Sequence, residues 1–177
     1  MSRSQVLCCL IGLLLSTAGI AADESLRIVP IVHDKQVVVT LVMADAYTDD
    51  VRETISSGLR TTFTYDVQLR MLVGGWVDRT VATAVVTVSD QYDNLTRRHT
   101  LSRVVDGRTD ESVVTEDEAV VRQWLTTLTR LPLCDTTRLE RNREYYVRVA
   151  ARKRPQRSFP FAFANAVTGQ AKFTFIP

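Results

Sequence analysis

The side chains able to do nucleophilic, acid–base or metal chemistry are few and scattered. The chain has two histidines, His33 and His99, and three cysteines, Cys8, Cys9 and Cys134, in 177 residues. A zinc site needs convergent nitrogen, sulfur or oxygen ligands, and their spacing offers no such set. His33-Asp34 falls at a short polar break between two apolar runs. There it reads as a solvated turn histidine, because a metal site would need further ligands from distant segments. Cys134 follows Leu131-Pro132-Leu133 and reads as a small buried hydrophobe. A reactive thiolate would need a basic partner, and nothing local supplies one. No cofactor and no metal is expected. Gly74-Gly75 lies between two strand-like runs, so it lacks the following helix that makes a glycine loop a phosphate cradle. There is no Gly-x-Ser-x-Gly elbow.

One charge feature stands out. Arg138, Arg141, Arg143, Arg148, Arg152, Lys153, Arg154 and Arg157 crowd one stretch of the chain. Arg141, Arg143, Arg148, Arg152, Lys153 and Arg154 are the candidate anion or partner patch. Such a cluster suits lipid phosphate, an anionic glycan or an acidic protein surface. The competing reading is a solvated strand face balanced by the acidic 110–118 region, and the net charge of only +2 favours it. Phe159-Pro160-Phe161-Ala162-Phe163 reads as a cap on the core, with an exposed docking loop as the alternative.

The N-terminus sets the compartment. Arg3 precedes an uncharged run, Val6 to Leu15, then small residues up to Ala21-Ala22 and a polar start at Asp23. That order is a secretory signal peptide, assigned to residues 1–22. The apolar core is shorter than the ~20 residues of a spanning helix, and an uncleaved N-terminal anchor is the alternative, because the uncharged stretch runs on to Ala22. Residues 23–177 then form one domain, exported and periplasmic or envelope-associated, with nucleic acid excluded as a partner. Removing the signal removes Cys8 and Cys9, so Cys134 has no internal partner for a disulfide.

The elements that must position any site are mostly strands. Leu26 to His33 and Gln36 to Met43 read as a hairpin around Asp34-Lys35. Thr48 caps a short amphipathic helix, 48–58, with Asp49 and Asp50 in its first turn and Gly58 ending it. Thr62 to Val73 alternates strictly, with Phe63, Tyr65, Val67, Leu69, Met71 and Val73 on one face. Further strands are expected over 78–91, 95–104 and 109–114, the last as a short edge strand after the Asp106-Gly107 turn. Thr115 with Glu118 matches a capping box, which also accounts for Glu116 and Glu118 without an acid–base role. A helix over 116–130 then carries the stripe Val120, Val121, Trp124, Leu125, Leu128 and Leu131, stopped by Pro132. After a loop over 133–143, strands are expected over 144–153 and 171–176.

The order β-β-α-β-β-β-β-α-β-β predicts an α+β domain. It has an antiparallel sheet of about seven to eight strands with two amphipathic helices packed on it. A β-sandwich with two peripheral helices is the alternative. The leading functional reading is a non-catalytic binding or interaction module. Its alternatives are a hydrolase-like enzyme with a site assembled from distant segments, such as His33 or His99 meeting an acid, and a peripheral protein on an anionic lipid surface.

Four short stretches carry a resemblance: Ser57-Gly58-Leu59-Arg60-Thr61-Thr62-Phe63-Thr64-Tyr65-Asp66-Val67, Trp76-Val77-Asp78, Gln91-Tyr92-Asp93 and Leu131-Pro132-Leu133. In this order, across 26–177, the chain resembles the bacterial family DUF4390, an exported domain of unknown function. The resemblance implies an exported bacterial protein of about this length, and the partners expected are an envelope or membrane protein or an anionic lipid surface. It implies no reaction, cofactor or catalytic residue.

Overall fold

The computed structural model describes residues 26–75, 77–155 and 166–176. The signal segment, Trp76, Arg157 and the Phe159–Phe163 run lie outside the described residues. Nine strands and two α-helices follow in the order β1 (Leu26–His33), β2 (Gln36–Met43), α1 (Asp49–Ser56), β3 (Thr61–Met71), β4 (Arg79–Asp93), β5 (Arg98–Val105), β6 (Arg108–Thr115), α2 (Glu118–Thr126), β7 (Thr127–Asp135), β8 (Arg143–Pro155) and β9 (Ala166–Phe175). They form a three-stranded sheet, β1-β2-β7, and a six-stranded sheet, β6-β5-β4-β3-β8-β9. Every pairing is antiparallel. The fold is therefore the expected antiparallel α+β class, arranged as two sheets in a sandwich-like way.

Local chemistry explains the turns. Asp34 and Lys35 both take left-handed backbone angles, φ +49° and +60°, and Asp106-Gly107 does the same at +48° and +79°. Two consecutive left-handed residues match the twist of the flanking strands in a tight hairpin. Thr48 caps α1, its hydroxyl accepting from the Val51 amide, and Gly58 follows the helix at φ +76°. A Cβ at Gly58 would meet only the movable end of the exposed Asn94 side chain at 2.9 Å, so it is the left-handed angle that demands glycine. Gln91 Nε2 donates to the Gly58 carbonyl at 2.7 Å, which ties two of the family-like stretches to each other.

The strict alternation in β3 is realised as one buried and one wetted face. Phe63, Tyr65, Val67 and Leu69 are buried, joined by Val86 and Val88 of β4 and Tyr145, Val147 and Val149 of β8. Val37, Val39 and Leu41 of β2, Leu128 and Leu131 of β7, Val51 and Ile55 of α1, and Val121 and Leu125 of α2 complete the same cluster. Each such side chain contributes about 1.5–3 kcal/mol through burial. Tyr65 also pins α2 to the sheet, its hydroxyl donating to the Leu125 carbonyl at 2.5 Å. Burial holds that phenol protonated, well above the usual tyrosine range.

Two expectations fail at α2. The helix ends at Thr126 rather than at 130, and 127–135 is a strand. Leu128 and Leu131 fit a helical stripe, but they also reach the core from a bulged strand. Pairing with β2 satisfies a strand edge that a longer helix would leave open. Arg130, at φ +54°, sits where the β2–β7 register shifts. Pro132 lies within β7, which is possible because β7 is a sheet edge and needs no donor there. The capping box is likewise replaced. Asp117 is the N-cap, accepting from the Ala119 amide at 2.8 Å. The Thr115 hydroxyl accepts from the Asp117 amide, and the Glu118 carboxylate turns to Arg52 and Tyr47 instead.

Candidate functional site

The cationic patch is divided by the pleat. Arg148 and Arg152 take the open outer face of the six-stranded sheet, opposite Gln68 and Thr64 of β3. Lys172 of β9 joins them there, opposite Tyr146. Arg154 stands opposite Thr62 in the same register. Lys153 belongs to the other face and pairs with Asp50 of α1 at 2.7 Å. Arg143, the first residue of β8, pairs with Glu140 at 3.5 Å, and Arg138 donates to the Val81 carbonyl. Arg141 is exposed beyond the strand. On the outer face Asp66 faces Arg152 at 3.8 Å, while Arg148 and Lys172 have no ion-pair partner among the described residues. Arg70 completes the row. Its guanidinium lies 5.9 Å from the Tyr146 ring centroid and donates to the Asp78 carbonyl.

His33 is the solvated turn residue expected, half exposed and 2.9 Å from Asp34. Cys134 is half-buried on β7, and burial pushes its thiol up, with Arg138 opposing. Both features suit a packing residue rather than a nucleophile. Among the described residues no three His, Cys, Asp or Glu side chains gather as metal ligands.

His99 differs. It lies beside Asp90, with Nδ1 and Oδ2 at 2.9 Å, and the side chains are 11% and 0% exposed. The Tyr92 ring packs on the imidazole at 4.5 Å between centroids. Burial raises the Asp90 carboxyl from the ordinary carboxylate range, and the hydrogen bond to His99 opposes that rise. Asp90 Oδ1 and the Thr61 hydroxyl opposite it are buried without partners. Sequence reasoning missed this pair, although a signal existed. In Val86, Val88, Asp90, Tyr92 the alternation puts an aspartate at an inward position. A histidine–carboxylate pair orients an imidazole in many hydrolases, but it needs a nucleophile on the far nitrogen. Asp90 is the one hydrogen-bond partner of His99 among the described residues.

Above this pair the helices bring in a second polar group. Glu118 of α2 accepts from Arg52 of α1 at 2.8 Å and from the Tyr47 hydroxyl at 3.3 Å. Arg122 lies over the Tyr47 ring, 5.1 Å from its centroid. Burial, then the Glu118 carboxylate, pushes the Tyr47 phenol up to about 12. The group locks the two helices together across the chain.

The third place is a cleft between the sheets. A cavity of about 150 Å³ is lined by Val86, Arg103, Val105, Leu128, Thr129 and Leu131, among others. A second, of about 160 Å³, shares Arg103 and Thr129 and reaches Trp124. The Arg103 guanidinium stacks 4.4 Å from the Trp124 ring centroid and donates to Glu111 at 3.1 Å. Arg103 Nε and Trp124 Nε1 are both buried with no acceptor. An unmet buried donor costs about 1–3 kcal/mol. No motif in the sequence announced this cleft, because it forms where the β7 bulge meets β5.

Two antiparallel sheets with two helices over their shared core define an α+β domain with a sandwich-like arrangement. The chain belongs to the family described as a domain of unknown function (DUF4390), whose model matches residues 24–169. No curated protein and no solved structure matches the chain.

Proposed function

We propose that this chain is an exported bacterial envelope protein that acts as a non-catalytic interaction module, presenting the outer face of its six-stranded sheet to an acidic envelope or membrane protein. The observation that carries the reading is the row Arg148, Arg152 and Lys172 on a sheet face that no helix covers among the described residues. Asp66 offsets one of these cations. An open antiparallel face normally carries mixed polar side chains, and this one is biased towards cations along β8 and β9. The signal-like residues 1–22 support export. Among the described residues no helix is long and apolar enough to cross a membrane.

The test is in-cell crosslinking from a photoreactive residue at Gln170, compared between wild type and the triple change Arg148→Glu, Arg152→Glu, Lys172→Glu. A discrete crosslinked protein lost on charge reversal supports the reading. A crosslink unchanged by reversal ends it. The same face also suits anionic lipid headgroups, because its charges are displayed on one plane. Salt-sensitive binding to anionic vesicles, abolished by the triple change and without a protein crosslink, would favour that second reading.

A further inference from the structure

We propose that the free edge of β9 takes up an extended segment of a partner protein as an added strand, and that this segment alternates carboxylate and apolar side chains. The inference rests on the reading of the cationic face as a protein-docking surface and names the way the partner is held.

Among the described residues the two sheets end in four strands, β1, β7, β6 and β9. Three of them carry the proline, bulges or multiple charges by which edges resist strand addition. β1 holds Pro30, and β7 holds Pro132 and the left-handed Arg130 at a register shift. β6 carries Arg108, Asp110 and Glu111, and its register with β5 shifts at Arg103–Val104. β9 differs. Its ten residues contain no proline, and its register with β8 runs unbroken from Phe175 opposite Arg143 to Ala166 opposite Arg152. In an antiparallel pair every second residue turns its N–H and C=O away from the neighbouring strand, so β9 presents a regular row of these groups along its outer side. β1 lies over the inner face of β9, where Leu26 and Ile28 pack against Gly169, while its own ladder is with β2.

The side chains on the two faces of that edge define the segment. Lys172, on β9 itself, and Arg148 and Arg152, one strand behind it, share the outer face. Cross-strand and diagonal neighbours of opposite charge stabilise a pairing, and like charges oppose it. Lys172, the one charged residue of β9, therefore turns away strands that bring cations and admits one that brings carboxylates at its outward positions. The inward positions of the added strand continue the line of Val167 and Phe173, which are half-buried at the margin of the core. Apolar side chains there would take more of that surface out of water. A second copy of this chain fits worse, because pairing β9 with β9 would gather Lys172 and the arginine row of both copies on one face.

The test adds a capped ten-residue peptide alternating glutamate and valine to ¹⁵N-labelled protein. Affinity is read by chemical-shift titration, and amide hydrogen exchange is read residue by residue. Exchange should slow at least tenfold at every second amide of β9, and Lys172→Glu, a change at an exposed position, should weaken binding at least tenfold. A peptide of the same composition with its five glutamates followed by its five valines should also bind at least tenfold more weakly, since its pattern cannot serve both faces of the edge. Binding that leaves β9 exchange unchanged, or equal binding of the two peptides, would overturn strand addition while leaving the docking role of the cationic face intact. No binding of the alternating peptide would overturn it as well, and the crosslink from Gln170 judges the face separately. Slowed β9 exchange in the protein alone, rising with protein concentration together with a doubled mass, would overturn it in favour of pairing between copies.

Discussion

His99 and Arg103 stand on the inner face of the same strand, β5, two alternations apart, yet they meet opposite conditions. His99 is sealed beside Asp90 and Tyr92 near α1, at the β4–β5 end where the pairing is tight. Arg103 faces the place where β7 bulges away, and its stacking partner Trp124 keeps an unmet donor. A buried polar group that finds a partner specifies the packing around it. One that does not carries an uncompensated desolvation cost. Both ends of the strand hold unmet buried groups, Asp90 Oδ1 and the Thr61 hydroxyl at one and the Arg103 and Trp124 nitrogens at the other, and only the first also holds a buried pair joined by a hydrogen bond.

The contrast can be broken from either end. The largest effect is expected for Asp90→Ala, which strands the imidazole without an acceptor and opens space in the core. It should cost about 3 kcal/mol, read as a urea midpoint shift. Asp90→Asn keeps an acceptor oxygen for Nδ1 and should stay within about 1 kcal/mol of wild type at neutral pH. A loss as large as that of the alanine variant would show that the carboxylate charge, not the hydrogen bond, holds the site.

The pH dependence sharpens the same point. The Asp90 carboxyl is raised in the folded state, so the folded protein holds this proton above the ordinary carboxylate value of 3.8. Its contribution is complete below that value and is lost as pH rises through the folded pKa. Unfolding midpoints measured from pH 4 upward should therefore fall for wild type relative to Asp90→Asn. A difference that grows in the other direction would contradict the burial argument.

At the cleft end the expected effect is smaller. Trp124→Phe removes a donor that has no acceptor and keeps most of the ring, so it should cost about 1 kcal/mol or less by thermal unfolding. A loss above that would mean that the lost ring volume and the Arg103 stacking outweigh the relief of the unmet donor. The smallest effect is expected for Lys153→Gln. Its partner Asp50 is solvent-exposed, and although Lys153 lowers the Asp50 carboxyl, such pairs contribute little to folding. The unfolding midpoint should not move measurably.

Much of the fold was legible in the residues. The alternation in β3, the hairpins at Asp34-Lys35 and Asp106-Gly107, the edge position of β6 and the Thr48–Gly58 helix all follow from local rules. The β7 strand was not legible, since Trp124, Leu125, Leu128 and Leu131 satisfy a helical period as well as they satisfy a bulged strand. The cap shifted from Thr115 to Asp117 for a related reason. Glu118 is drawn to Arg52, a residue far away in sequence. The cationic cluster was visible as composition, but the pleat sent Arg148 and Arg152 to one face and Lys153 to the other.

The sequence by itself determined which segments alternate and where the tight turns fall. These are properties of neighbours along the chain, decided by backbone angles and a period of two. Only the tertiary structure decided that β2 would claim 127–135 as a strand, that Asp90 would meet His99, and that Arg103 would stack on Trp124 at the edge of a cleft. Each of those joins residues of different elements, and the β7 pairing depends on which sheet edge needed covering.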